Sequence, residues 1–278
     1  MNNTVPLKIV SLIYWGVILL FYLPVVMVLG RVFINEKTVK ELMEFVGSGL
    51  FWNTLSFSAT EAFLSAVFSL GLALPGAYIF GKYDFPGKKI LRNILVLPFM
   101  LPGILVVLGM VVFYGRNGAL NHWLIRLFPE SGLRFTGLYG FWGIILANVF
   151  YNFSFCIRVL GESWERIGPN LGEASAVLGG SRWRTFWGVT FPLLAPAFSY
   201  LFLLIFLYSF LSFTVVLVLG GYLYKTFEVL IYIEYNSKLN FDRATVIAGL
   251  QTAMLAGGLF LQNWLGRGIR RSEEHTSE

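Results

Sequence analysis

The sequence predicts an all-α integral membrane protein that crosses the bilayer six times. Two observations carry this. Of the 278 residues, 56% are apolar and only 13% are charged, about half the charged share of an ordinary soluble domain. The windows Ile9–Gly30, Asn93–Gly115, Phe135–Ile157, Thr185–Tyr224 and Ala244–Gly266 contain no Asp, Glu, Lys or Arg, and Leu50–Gly81 contains only Glu61. About 20 apolar residues cross the hydrocarbon core as a helix. Runs this long and uniformly apolar favour helices over barrel strands, because a backbone in lipid must satisfy its own hydrogen bonds.

In chain order the expected spans are 9–29, 55–80, 92–114, 138–159, 191–218 and 244–265. The first has an apolar core of about 21 residues with no small-residue cleavage site after Gly30. That is longer than a secretory signal core, so it reads as a retained anchor. The polar stretch Arg31–Gly49 carries an amphipathic segment at Thr38–Phe45, and Lys82–Lys89 is a short basic loop. Pro98 and Pro102 sit four apart in the third span, and Pro192 and Pro196 four apart at the head of the fifth. Each removes a backbone donor and bends its helix. Arg116–Leu133 reads as an irregular outer loop, and Phe227–Tyr235 as a helix on the outer face. The division is residues 1–49 (first span and outer loop), 50–270 (a core of five spans with a long inner loop at 161–188), and 271–278. The last eight residues change composition abruptly and back-translate to a common sequencing-adapter string, so a tail foreign to the gene is expected there.

The net charge of +6 points to a membrane surface rather than nucleic acid. With both termini inside, the 21 Lys and Arg divide twelve to nine in favour of the inner side, a weak positive-inside bias. Cys156 is the single cysteine and lies within a span, so neither a disulfide nor a thiolate metal site is expected. Two histidines are too few for a histidine-rich metal centre. Gly81-Lys82 and Gly87-Lys88 lack the rest of a phosphate-binding loop, so the chain is expected to bind no cofactor and hydrolyse no ATP itself.

Polar residues inside spans are candidates for a solute path. Asn148 and Asn152 are one helical turn apart, as are Tyr208 and Ser212. Facing water, they offer a solute successive hydrogen bonds; facing each other, they bond helix to helix. Glu61 needs a partner or a wet cavity at mid-membrane. The 19 residues Ala62–Phe80 alone are long enough to span, which also allows Glu61 to sit at the outer interface.

The inner loop is the most informative segment. Pro169 fits the first turn of a helix, and Leu171, Ala174 and Leu178 fall on one face. Gly179 or Gly180 supplies the left-handed residue that ends it. Ser181 can cap a second helix over Arg182–Gly188. The result is an elbow bearing Glu173, Arg182 and Arg184.

Glu173-Ala174-Ser175, Gly179, Val189 and Phe191-Pro192 resemble, at matching spacing, the Glu-Ala-Ala…Gly…Ile-x-Leu-Pro loop of binding-protein-dependent ABC importer permeases. The departures, Ser175 for Ala, Val189 for Ile and Phe191 for Leu, keep the charge, the break and the proline. Residues 50–265 look most like thiamine importer permeases, in Tyr114–Gly118, Tyr139–Ile157, Leu211–Gly221, Thr226–Tyr232 and Asp242–Ala244. Ferric-iron permeases are the alternative. The resemblance implies a type I importer (MetI-like) fold in a bacterial inner membrane, with both termini of this piece cytoplasmic. It implies an extracytoplasmic solute-binding protein and a cytosolic ATPase dimer that uses ATP and Mg. Glu173 would meet a basic residue of the ATPase, and Gly179 and Gly180 would form the turn. Such permeases are commonly two fused six-helix halves. One loop here implies the N-terminal half; the alternative is a six-helix subunit that dimerises. An ion-gradient-driven carrier is the competing class. It would require ionisable groups at mid-membrane, for which Glu61 is the only candidate.

Overall fold

The computed structural model describes residues 7–34, 36–168, 174–175, 177 and 179–274. The described residues are helical or irregular, with no strand among them. They divide into two units: residues 54–229, and residues 1–53 with 230–278.

In the first unit, α3 (Gly49–Lys82) and α8 (Phe141–Ile167) pack side by side. Phe57 meets Phe141 with ring centroids 6.2 Å apart, and Glu61 bonds Asn148. A Cβ on Gly76 would fall 2.9 Å from Ile157 Cδ1, and one on Gly81 would collide with Trp164 Cβ. Partners rise together in number, so the two helices run parallel, and the bare Gly81 backbone permits their close approach. The buried core between them holds Ala66, Leu70, Ala73, Ala77, Cys156 and Leu160, joined by Leu201 and Ile205 of α9 (Arg182–Phe210). Cys156 is a buried free thiol and packs as a small apolar residue.

Two expected spans are not continuous. The third is α4 (Lys88–Ile94), α5 (Leu97–Met100) and α6 (Gly103–Tyr114). Leu101 precedes Pro102, which disfavours the helical region for it; its ψ is 141°. A break thus replaces the expected bend, and the Tyr151 hydroxyl donates to the Leu101 carbonyl at 2.7 Å. The fifth span stops at Phe210 and resumes as α10 (Thr214–Leu219). There Thr226 Oγ1 donates to the Ser212 carbonyl at 2.8 Å. The two breaks lie near one another, since a Cβ on Gly103 would be 3.7 Å from Thr214 Cβ.

The expected irregular loop Arg116–Leu133 contains a helix, α7 (Ala119–Leu127). Buried Asn121 anchors it: Nδ2 donates to the carbonyls of Gly115 (2.9 Å) and Phe135 (2.9 Å), and Oδ1 accepts from Phe135 N–H (2.6 Å). One Asn thereby satisfies backbone groups in a segment without a ladder.

In the second unit, α1 (Leu7–Ile34) carries exposed Trp15, Leu20 and Phe21, a surface suited to lipid. The amphipathic helix α2 (Glu36–Gly47) buries Thr38 and Phe45 and packs against α12 (Phe241–Glu274). Between α11 (Phe227–Tyr232, continued as π-helix to Ser237) and α12, buried Glu234 pairs with Lys238 at 2.8 Å, and Arg243 lies 5.7 Å from the Phe45 ring centroid. Among the described residues, four helical stretches are long and apolar enough to cross a membrane: Gly49–Lys82, Gly103–Leu127, Phe141–Ile167 and Arg182–Phe210, with a shorter apolar helix at Tyr14–Met27.

Candidate functional site

Two groups of sequence-selected residues are brought together, one exposed and one buried. The exposed group is the elbow. Ala174, Ser175 and Val177 are helical, and Gly179 adopts φ +77°. Gly179, rather than Gly180, is therefore the left-handed residue that ends the arm. Gly180 is needed for a different reason: a Cβ there would fall 2.5 Å from Ser175 Oγ and 2.8 Å from the Ser175 carbonyl oxygen. Gly180 N–H donates to that carbonyl at 2.9 Å, and Ser175 Oγ and Thr185 Oγ1 share a 2.7 Å hydrogen bond across the turn. Ser181 caps the second arm by accepting from Arg184 N–H at 3.3 Å.

That second arm differs from expectation. Instead of a separate helix over Arg182–Gly188, one helix runs from Arg182 to Phe210 with a π-helical stretch at Phe186–Thr190. Pro192 has no N–H to donate, and a wider turn just before it relieves the ladder. Phe191 N–H reaches back five residues to the Phe186 carbonyl. Val189 is half-buried, and Pro192 is exposed within the helix. Thus the elbow joins a membrane-length helix with no joint at Gly188. Glu173 lies outside the described residues, as do Pro169, Leu171 and Leu178.

At the end of α8 stands an ion-pair cluster not singled out in the sequence. Glu165, near the end of α8, takes Arg92 at 2.8 Å and Lys88 at 3.1 Å, and Lys88 also pairs with Asp84 at 3.0 Å. Asp84 and Glu165 together hold the Lys88 ammonium above the ordinary lysine range. The basic cluster Lys82–Arg92 was visible in sequence; its acid, 73 residues beyond Arg92, was not.

The buried group is a polar seam between α3 and α8. Glu61 is fully buried between α3 and α8. Its Oε1 accepts from Ser65 Oγ at 3.0 Å and from Asn148 Nδ2. Asn152 Nδ2 donates to the Asn148 carbonyl at 2.8 Å. Thr54, Ser58, Ser65 and Ser69 continue the buried polar face of α3. Tyr208 and Ser212 do not join it and do not share a face: Tyr208 is exposed on α9, whereas Ser212 lies past the helix end and is buried. A group of three or more His, Cys, Asp or Glu able to hold a metal is absent among the described residues.

Residues 73–271 match the family described as binding-protein-dependent transport system inner membrane component. This chain belongs to that family. The matched range contains the elbow, α8 and both helix breaks, whereas Glu61 lies before it. As a member of this permease family the chain is a membrane transport subunit rather than an enzyme. It is 34% identical over 220 residues to the thiamine transport system permease protein ThiP of Escherichia coli (strain K12), covering 78% of this chain and 40% of that relative. It is 32% identical over 192 residues to the ferric transport system permease protein FbpB of Actinobacillus pleuropneumoniae, 27% of whose length it covers. To the sulfate transport system permease protein CysW of Synechocystis sp. it is 27% identical, covering 89% of each. The chain therefore spans well under half the length of the thiamine and ferric permeases it matches. Its fold is similar to a chain of a bacterial ABC transporter involved in the import of alginate, with a TM-score of 0.76, 19% identity and 94% of each chain covered. That transporter has also been solved in complex with an alginate-bound periplasmic protein.

Proposed function

We propose that this chain is the membrane-spanning part of an ATP-driven importer that receives thiamine from an extracytoplasmic binding protein and passes it across a bacterial inner membrane. The observation that carries the reading is the family match over a range that includes the Gly179 elbow. In this reading the chain passes the membrane six times with both termini cytoplasmic, and a second permease half, fused or separate, completes the path. A cytosolic ATPase dimer, which binds ATP and Mg, docks on Glu173, Ala174, Ser175, Gly179, Gly180 and Arg182. Because the elbow continues without a joint into Arg182–Phe210, a push there reaches the bilayer as movement of one rod, past Val189 and Pro192. Thiamine is favoured by the 34% identity to the Escherichia coli permease. Glu61, Asn148, Asn152, Tyr208 and Ser212 are the residues proposed to bear on the path, Tyr208 by contact and the buried seam by fixing the helix pair behind it.

The test is uptake into proteoliposomes holding the full permease, its ATPase and its binding protein. ATP-dependent accumulation of labelled thiamine is expected, with loss in Glu173→Ala or Gly179→Pro at unchanged membrane insertion. Uptake of ferric iron or sulfate instead would overturn the substrate, and uptake driven by an ion gradient without the ATPase would overturn the class.

A further inference from the structure

The root of the elbow leans on one residue of α8. Ser175 of the first arm is tied to Thr185 by their 2.7 Å hydrogen bond. The next residue, Phe186, stacks on Trp164 near the end of α8, with ring centroids 5.9 Å and planes 27° apart. Both rings are half-buried. Phe186 also opens the π-helical stretch, its carbonyl accepting from Phe191 N–H. Wide turns of this kind frequently sit at functional points of a helix.

Trp164 reaches a third helix as well. Its ring meets Tyr78 of α3 edge-on at 5.3 Å. Here α3 and α8 are close enough that their glycines have no room for a side chain. A Cβ on Gly81 would collide with Trp164 Cβ and fall 3.2 Å from the Gly161 carbonyl oxygen, and a Cβ on Gly161 would fall 3.0 Å from Phe80 Cβ. Packing this dense leaves no void to absorb a displacement, so it transmits one. Phe186, Trp164 and Tyr78 therefore form a continuous run of ring contacts from the elbow, through α8, to α3.

We propose that Trp164 is a positioning residue through which movement of the α9 rod is handed to the α3–α8 pair, Phe186 being the face that presses on it. This rests on the reading of the elbow as the ATPase dock, and it names where the push leaves the rod. A rod that bears on nothing moves only itself. An indole in contact with both Phe186 and Tyr78 makes two further helices follow.

Uptake and ATP hydrolysis, measured together in proteoliposomes holding the full permease, its ATPase and its binding protein, test it. Labelled thiamine, ferric iron and sulfate are offered separately, and the quantity read is solute accumulated per ATP hydrolysed. Trp164→Leu and Phe186→Leu should each lower that ratio about fivefold, the worth of one aromatic pair, with assembly with the ATPase and KM for the loaded binding protein unchanged. The double variant should lose no more than either single one, because both remove the same contact. Trp164→Phe should keep most of the ratio, and exposed Trp142→Leu, at the other end of α8, all of it. A purely structural role would lower uptake and hydrolysis in proportion and leave the ratio unchanged, which would overturn the proposal. Should Trp164→Leu fail to insert, an unchanged ratio in Phe186→Leu would overturn it in the same way. Additive losses in the double variant would also overturn it, since the two rings would then act separately. A wild type that accumulates none of the three solutes with ATP would overturn the reading of the elbow and this inference with it. A wild type that does so, beside variants of unchanged ratio, would overturn this inference alone.

Discussion

The α3–α8 seam and the Gly179 elbow both concentrate polar residues, yet they treat them in opposite ways. In the seam, Glu61, Ser65, Asn148 and Asn152 are buried; Asn148 bonds Glu61 across a parallel helix pair, and Ser65 and Asn152 bond within their own helices. In the elbow, Ala174, Val177, Gly179, Arg182 and Arg184 are exposed, and the internal bonds from Ser175 to Thr185 and Gly180 only hold the bend. Each region's bonding energy therefore resides in a different place. The bond between Asn148 and Glu61 ties the two helices together, while Glu61 Oε2, Asn152 Oδ1, Ser58 Oγ and Ser69 Oγ stay buried with no hydrogen-bond partner among the described residues, a cost of withdrawing polar groups from water. An elbow that fixes its own shape and leaves its outer face open has bonding capacity left for another polypeptide.

Three substitutions probe this contrast. The largest effect is expected from Gly179→Val. A β-branched residue resists φ +77°, and holding a left-handed backbone costs about 1–2 kcal/mol. Open space surrounds Gly179, so the elbow relaxes rather than the bundle. ATP-dependent uptake should fall about tenfold or more, with little change in the thermal midpoint of the purified protein. A lowered midpoint with intact coupling would erase the distinction between the regions.

Asn148→Leu should do the reverse. It leaves Glu61 without its interhelical donor, and stranding a buried acceptor costs about 1–3 kcal/mol. Denaturant titration in detergent should show that loss, and Glu61→Leu added to Asn148→Leu should recover most of it, since removing both partners strands neither. Failure of the double variant to recover would mean that Glu61 has work besides bonding α8. The smallest effect belongs to Glu165→Gln. Its carboxylate is 43% exposed, and surface pairs contribute at most about 1 kcal/mol. A stability change within that limit, vanishing at high salt, is the expected result.

Much of this was legible along the chain. The long apolar windows located α3 and α8, and Ser181 and the Gly179-Gly180 pair announced the turn before α9. What escaped was tertiary in origin. Proline spacing signals a bend, but whether Pro102 bends or breaks its helix depends on a donor for the Leu101 carbonyl, and Tyr151 is 50 residues away. Ser212 lay one turn after Tyr208 on paper, yet its carbonyl is claimed by Thr226, and the helix ends before it. Glu61's partner was hidden in sequence because Asn148 stands 87 positions on. Asn121 looked like one polar residue in a loop, because its four partners belong to backbone that sequence patterning does not reveal.

The hydroxyls of Tyr151 and Thr226 have a mechanical consequence. Each secures a carbonyl oxygen at a point where an apolar helix is already cut. Swivelling there ruptures no continuous ladder and exposes no orphaned oxygen to hydrocarbon so long as the tether holds. Gly103 beside Thr214 sets the two cuts next to each other. Residues 54–229 thus hold two neighbouring interruptions of the helical ladder, each closed by a hydroxyl from a residue remote in sequence.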